Sequence, residues 1–205
     1  MVGSSPAESR YRFTVLTSRL IRMELSPTGV FTDAATQLVV SRDLGEPPSF
    51  RVVRGEDRLE IITEHLHLVH VPSLGFSPSG LSVRLRSTAL HVHGGTWHHG
   101  DVWDPDETFP TNLGGTTRTL DEADGAVTLS PGLLSLSGIT ALDDSASLLL
   151  TEDEWVRPRE PGNRVGDGAQ DLYVFGYGQD YRGALRDFFR LTGPSPLIPR
   201  ALLGN

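Results

Sequence analysis

The histidines are the residues whose spacing most suggests chemistry. All seven lie between positions 65 and 99, and two pairs, His65/His67 and His91/His93, are each separated by one residue. On a β-strand, side chains at i and i+2 point to the same face. Each pair could therefore converge on zinc, iron or copper.

A metal-dependent enzyme of the cupin type would need more than these pairs. It would carry a glutamate shortly after the second pair, where Thr96 and Trp97 stand, and a glycine six residues before His91, where Leu85 stands. We therefore predict no metal and no cofactor. The histidines of the two pairs are expected on the less buried face of strands whose other face carries Leu66, Leu68, Leu90 and Val92.

Acidic residues form three clusters, within 101–107, 121–124 and 152–154. Paired carboxylates can perform acid/base chemistry on a glycosidic bond. Each cluster lies in a predicted turn or loop, however, where solvation explains it. The chain also lacks a Gly-x-Ser-x-Gly elbow and a Gly-x-Gly-x-x-Gly loop. We therefore predict no catalytic residue and no self-contained active site.

Two tryptophans offer a different chemistry. Trp97 and Trp103 fall in a long stretch, 94–125, that is rich in glycine, aspartate and threonine. Aromatic faces beside polar groups suit the C–H faces of sugar rings. Both are candidate sugar-stacking residues, although packing that pins the loop would explain them equally well.

The composition excludes several classes of partner. The chain has 205 residues, a net charge of −8 and no cysteine. Nucleic acid would require a basic face, and an anionic membrane surface would require a polybasic segment. No signal-like or membrane-spanning segment is visible in the sequence, so we predict a cytoplasmic protein.

Alternating segments predict an all-β protein. Ile21 and Met23 alternate with Arg22 and Glu24, and Leu81–Leu85 alternates in the same way. This period of two indicates strands with one buried face. Turn signals every 8–15 residues or so are typical of an antiparallel sandwich.

One helix is predicted near the end of the chain. Asp180 is a good N-cap residue, and Gly193-Pro194 would stop the helix. The expected buried stripe consists of Tyr181, Leu185, Phe188 and Phe189.

Two stretches resemble a known family. The first contains Asn112-Leu-Gly-Gly-Thr-Thr-Arg-Thr-Leu-Asp121 and continues to Leu150. The second runs from Leu172-Tyr-Val-Phe-Gly-Tyr-Gly178 through the helix to Leu191-Thr-Gly-Pro-Ser-Pro-Leu and Ala201-Leu-Leu-Gly-Asn205. Both are similar to the N-terminal domain of glycoside hydrolase family thirty-one, the retaining α-glucosidases and α-xylosidases.

The resemblance implies a galactose-mutarotase-like β-sandwich over 1–178. Residues 179–205 would be a helix and linker leading into a catalytic (β/α)₈ barrel, whose first strand would start near Ala201. The family's two catalytic aspartates would lie in that barrel, beyond Asn205. The expected partners are this barrel and an α-glucoside or oligosaccharide substrate.

The resemblance also implies a loop at the rim of the substrate pocket. Its expected residues are Asn112, Gly114, Gly115, Arg118 and Asp121. Gly114-Gly115 would let the backbone approach a ligand closely, and Arg118 and Asp121 could hydrogen-bond to sugar hydroxyls. We expect exposed apolar surface on such a domain to favour a homodimer.

Two alternative functions remain open at this point. One is a stand-alone carbohydrate-binding sandwich that uses the two tryptophans. The other is a small enzyme, cupin-like or similar to aldose mutarotases, whose chemistry needs a histidine and a glutamate at the pocket.

Overall fold

The computed structural model describes residues 10–86, 95–101, 111–116, 124–125, 127–153 and 155–195. Within these ranges, no helix is both long enough and apolar enough to cross a bilayer.

The first sheet has four antiparallel strands. They are β1 (Tyr11–Thr17), β2 (Leu20–Leu25), β8 (Ile139–Asp143) and β11 (Gln170–Gly176). The strand order is β1-β2-β11-β8, so β2 and β11 are central although they are far apart in sequence. Residues 20–25 and 170–175 therefore pair with each other directly.

The second sheet is a five-stranded antiparallel meander in the order β3-β4-β5-β6-β7. The strands are β3 (Arg51–Arg54), β4 (Leu59–Ile62), β5 (Leu66–His70), β6 (Leu81–Leu85) and β7 (Thr96–His98). Consecutive strands are neighbours throughout, as short turn-rich connections favour.

The remaining elements are small. A two-stranded hairpin pairs β9 (Leu149–Leu150) with β10 (Val156–Arg157). Short 3₁₀ turns cover Pro72–Leu74 and Val165–Asp167, and the helix α1 spans Tyr181–Thr192.

The main core lies between the two large sheets. The inward residues of both sheets form one cluster, in which each fully buried aliphatic side chain contributes roughly 1.5–3 kcal/mol. Its members are Phe13, Val15, Ile21, Met23, Ile139, Leu172 and Val174 from the first sheet, and Ile61, Leu66, Leu68, Leu81, Val83, Leu85 and Trp97 from the second. The predicted antiparallel β-sandwich with one C-terminal helix is confirmed.

A second cluster covers the opposite face of the four-stranded sheet. Here α1 and a loop around Val39 and Leu44 pack on Tyr173 and Phe175. The four-stranded sheet is therefore buried on both faces. The helix belongs to this cluster together with β11, so the packing continues across residue 178.

The prediction of a solvated face for β2 was wrong. Arg22 and Glu24 alternate with core residues as expected, but they are only 1% and 4% exposed. They lie on the face that the second cluster and its neighbouring loops cover. Charged residues can occupy this face because partners of opposite charge surround them.

The helix begins and ends as predicted, but its buried face differs. The Asp180 carboxylate accepts a hydrogen bond from the Gly183 amide, and Gly193 follows the last turn. The buried residues of the helix are Gly183, Ala184, Asp187 and Leu191, and of the predicted stripe Phe188 packs partly buried against the second cluster. The polar Asp187 is accommodated because it accepts a hydrogen bond of 2.6 Å from the Tyr177 hydroxyl.

Candidate functional site

The described part of the loop predicted to border a substrate pocket forms one side of an irregular ribbon. Residues 111–116 run antiparallel to 130–136, with a bridge between Asn112 and Ser135. The Leu113 amide donates to the Leu134 carbonyl at 2.9 Å, and the Gly115 amide donates to the Ser130 carbonyl at 2.7 Å.

Asn112 organises this ribbon. Its amide nitrogen donates to the Gly132 carbonyl at 2.9 Å, and its Oδ1 accepts from the Gly132 and Gly114 amides at 2.8 and 2.9 Å. One side chain therefore joins both strands. As placed, its amide group is occupied by the chain's own backbone.

The glycines of the ribbon allow its two strands to approach closely. A Cβ atom on Gly132 would lie 2.1 Å from the Gly114 carbonyl oxygen, and one on Gly115 would lie 2.9 Å from the Pro131 oxygen. Gly114 also has a positive φ of 79°, which L-residues with side chains rarely adopt. Backbone packing within the ribbon thus explains glycines that the sequence analysis assigned to ligand approach.

Of the other predicted site residues, Trp97 alone lies within the described ranges. Arg118, Asp121 and Trp103 lie outside the described residues, so their roles stay predictions. Trp97 lies on β7 and is 6% exposed, inside the core between the sheets. As placed, its indole has almost no surface to offer a sugar.

Two histidines, His65 directly before β5 and His67 on it, contact neighbouring residues of the chain. His65 Nδ1 lies 3.0 Å from the Ser18 hydroxyl, and His67 Nε2 lies 2.5 Å from a Glu60 oxygen. Arg84 donates to His67 Nδ1 at 3.2 Å, so the imidazole proton belongs on Nε2, where it is donated to Glu60.

A metal site does not emerge from these contacts. Within the described ranges, no three or more side chains of histidine, cysteine, aspartate or glutamate are arranged to hold a metal ion. His91 and His93, the second predicted pair, lie outside those ranges. A mutarotase-like enzyme would need a histidine and a glutamate at its pocket. His67 and Glu60 are in contact, but His67 Nε2 and a Glu60 oxygen are hydrogen-bonded to each other.

A network of buried ion pairs lies beside the second cluster and connects several charged side chains of the described chain. Arg22 donates to both oxygens of Asp171 at 2.8 Å and to the Thr32 carbonyl at 2.8 Å. It also lies 3.0 Å from Glu24, which accepts from Arg12 at 2.5 and 2.8 Å. Bidentate pairs of this kind are among the stronger side-chain hydrogen bonds.

The same network ties two loops to the sheet. Arg159, which follows the β9–β10 hairpin, donates to the Asp144 carbonyl at 2.7 Å and lies 3.3 Å from Asp171. The Asp144 carboxylate accepts from the Thr36 hydroxyl at 2.9 Å. The buried pairs therefore fasten the connections around residues 36 and 144–159 to the outer face.

Burial changes the protonation of the network. Desolvation is the largest effect on both Glu24 and Asp144 and raises the pKa of each carboxyl above its ordinary value, although the nearby arginines oppose it. The pocket beside Glu24 and Asp171 has room for about one water molecule. Arginines engage the carboxylates of both Glu24 and Asp171, and a sugar would not fit this pocket. The network therefore stabilises the fold and does not accommodate a substrate.

Sequence reasoning missed this network because Arg22 and Glu24 look like a solvated face. The available signal was the long connection from residue 26 to residue 50, which has no strand pattern and needs a surface to lie on. Its position over β2 and β11 could not be inferred without knowing that these strands are neighbours.

An apolar edge runs along α1 at the border of the second cluster. It consists of Tyr181, Leu185, Phe188 and Phe189, the residues of the predicted stripe. Leu185 is 37% exposed and Phe189 is 42% exposed, whereas Phe188 packs against Phe175. We call these four residues the helix edge.

The ribbon extends this apolar surface. Leu113 and Leu136 are each 46% exposed. Leu134, which lies opposite Leu113, lines the same small pocket as Tyr181. The helix edge and the ribbon therefore adjoin, and together they present several large apolar side chains to solvent.

Comparison with known proteins gives matches among solved structures only. No protein-family profile matches the chain, and no curated protein sequence matches it. The fold is similar to that of a GH31 dextranase from Flavobacterium johnsoniae complexed with glucose, with a TM-score of 0.49. It is similar at a TM-score of 0.47 to a mutant of the same enzyme complexed with isomaltotriose.

Both similarities have 15% sequence identity and cover 91% of this chain. They cover 26% of the dextranase, so the chain spans about a quarter of the length of the proteins it matches. Both structures are of the family that the sequence resembles. At 15% identity, this similarity concerns the fold alone and gives no information about a substrate.

Proposed function

We propose that this chain is the non-catalytic N-terminal domain of an α-glycosidase of the α-glucosidase type. It packs on a catalytic (β/α)₈ barrel and lends the loop that starts at Asn112 to the rim of the substrate pocket. In such an enzyme, the carboxylates that break the glycosidic bond belong to the barrel.

The helix edge is the observation that carries this proposal. Exposed aromatic and aliphatic side chains that adjoin one another mark interaction sites on soluble domains. Leu185 and Phe189 lie on the last described helix, directly before the segment whose sequence resembles the family's passage into the barrel. A domain that follows this segment would be close to the helix edge.

The character of this surface also suits a protein partner. The cores of protein interfaces are rich in aromatic residues and poor in aspartate and glutamate. The helix edge contains three aromatic residues and one leucine, and the adjoining ribbon adds exposed leucines. This composition favours a permanent apolar contact over the binding of a polar ligand.

The loop contribution follows from the same placement. The ribbon that contains Asn112 adjoins the helix edge, so a barrel seated on that edge would also lie beside the ribbon. Arg118 and Asp121 would then be able to reach the mouth of the barrel and donate to or accept from sugar hydroxyls.

Binding to a separately produced catalytic barrel of an α-glycosidase of this family tests the proposal. We expect the chain and the barrel to co-sediment as a one-to-one complex. The double variant Leu185→Glu/Phe189→Glu should lose this complex, because two charges would be buried in an apolar interface. Val165→Glu is the matched control, because Val165 is 54% exposed on a separate 3₁₀ turn.

Two outcomes would contradict the proposal. In one, the wild-type chain and the barrel sediment as separate species at concentrations well above the dissociation constants of ordinary domain–domain contacts. In the other, the complex forms equally well with the double variant, which would place the contact elsewhere on the molecule.

A further inference from the structure

Trp155 is the most exposed of the large apolar side chains in the described chain, at 72%. It directly precedes β10 in the β9–β10 hairpin, where its carbonyl accepts a hydrogen bond of 2.9 Å from the Thr151 amide. The backbone is therefore held in the hairpin ladder while the indole faces solvent. Tryptophan is usually buried over most of its surface, so an indole that is exposed to this extent is a candidate ligand contact.

The polar groups around the indole define what that ligand would be. Arg157 is the last residue of β10, and the Thr151–Trp155 hydrogen bond continues the hairpin pairing back to Trp155. Two residues apart on this extended backbone, the two side chains lie on the same face. Arg157 is 48% exposed and forms an ion pair with Glu160, which is 61% exposed. On the turn side, the Thr151 hydroxyl donates to the Asp153 carboxylate, and this bond lowers the pKa of Asp153.

We propose that Trp155, together with Arg157 and Glu160, forms a surface subsite that stacks one pyranose ring of an oligosaccharide. A pyranose has an apolar C–H face, which suits an indole, and a rim of hydroxyls that both donate and accept. The guanidinium supplies donors and the carboxylates supply acceptors around the ring. This inference rests on the proposed glycosidase function, which provides the reason for a sugar.

Two other kinds of partner fit this surface less well. Glu152 and Asp153 lie within three residues of Trp155 in sequence, and Glu160 pairs with Arg157, whereas aspartate and glutamate are depleted from the cores of protein interfaces. The helix edge is the contrasting surface, since it contains no carboxylate. Nucleic acid is disfavoured by the same carboxylates and by the net charge of −8.

Titration of the 205-residue chain with maltose and isomaltose tests the subsite. The readouts are the indole N–H resonance of Trp155 in NMR spectra and the heat of binding. We expect millimolar, saturable binding that shifts this resonance. Trp155→Ala should weaken binding at least about tenfold, the equivalent of about 1.4 kcal/mol. Trp155→Phe should retain part of the affinity, because phenylalanine keeps an aromatic face.

Controls separate this inference from the proposed function. Val165→Ala, another exposed position, should bind sugar like the wild-type chain, and so should Leu185→Glu/Phe189→Glu. Conversely, Trp155→Ala should still bind the catalytic barrel. Sugar binding can therefore fail while docking persists, and docking can fail while sugar binding persists.

Three results would overturn the subsite. The first is the absence of any sugar-dependent shift of the Trp155 resonance at high millimolar maltose or isomaltose. The second is equal affinity in the wild-type chain and Trp155→Ala. The third is protection of the Trp155 indole by the catalytic barrel without a response to sugar, which would make the residue a protein contact.

Discussion

At the scale of single residues, buried arginines and carboxylates decide how this sandwich is built. The network contains as many arginines as acids: Arg12, Arg22, Arg42 and Arg159 with Glu24, Asp33, Asp144 and Asp171, of which Asp33 alone is largely exposed. Taking these charges out of water is expensive, and only their mutual pairing compensates. The network therefore lowers the free energy of this arrangement of the covering loops relative to arrangements that leave the charges unpaired.

Removal of the central arginine should be severely destabilising. Arg22→Met leaves Asp171 and Glu24 buried with fewer partners, so we expect a loss of about 3–5 kcal/mol in the free energy of unfolding. Urea denaturation measures this loss. Arg58→Met removes one partner of the exposed Arg58–Glu60 pair and should change stability far less. A similar small effect of both variants would contradict a structural role for the network.

The raised pKa of Glu24 has a defined effect on stability. The folded chain keeps a proton on this carboxyl at pH values where the unfolded chain, with its ordinary value of 4.5, has lost it. The contribution of this group is therefore complete below pH 4.5 and declines as the pH rises through the folded pKa. We expect the difference in unfolding free energy between wild type and Glu24→Gln to decrease over this range. An increase with pH would show that the arginines, not burial, dominate.

At the scale of elements, the sequence predicted what local patterns determine. Three predictions depend only on neighbours along the chain: the alternation in Leu81–Leu85, the helix cap at Asp180 and the end of the helix at Gly193. All three were confirmed. The buried face of α1 and the second face of β2 depend on which distant segments cover them. Asp187 is buried because Tyr177 lies beside it, which no helical periodicity could reveal.

The ribbon was only partly predictable for the same reason. Its glycines were recognised as positions of close approach, but the approaching group is the ribbon's own backbone. Trp97 looked like a loop residue because glycines precede it, yet it pairs with Val83 on β6 and faces the core.

The close contact at Gly132 gives a test of the ribbon. Gly132→Ala would place a Cβ atom 2.1 Å from the Gly114 oxygen, so we expect a loss of about 1–3 kcal/mol from forced backbone shifts. Gly166→Ala is the matched control, because a Cβ there meets nothing within 4 Å. Thermal unfolding should show a lower Tm for the first variant only. Equal Tm values would mean that the ribbon is not held as described.

At the scale of the whole molecule, the two sheets and the helix leave one apolar surface that the described chain does not cover. Without a partner, such a surface favours self-association. We expect the chain alone to form dimers in sedimentation velocity as its concentration rises, and Leu185→Glu/Phe189→Glu to remain monomeric. Concentration-dependent dimers of this double variant would place the contact outside the helix edge.

We propose that the chain completes a glycosidase whose chemistry is performed by another domain. The decisive experiment compares hydrolysis of an aryl α-glucoside by the chain alone, by the catalytic barrel alone and by their mixture. We expect no turnover by the chain, and a higher kcat/KM for the mixture than for the barrel, an increase that Leu185→Glu/Phe189→Glu abolishes. Saturable hydrolysis by the chain alone would show that the chemistry is not confined to the barrel.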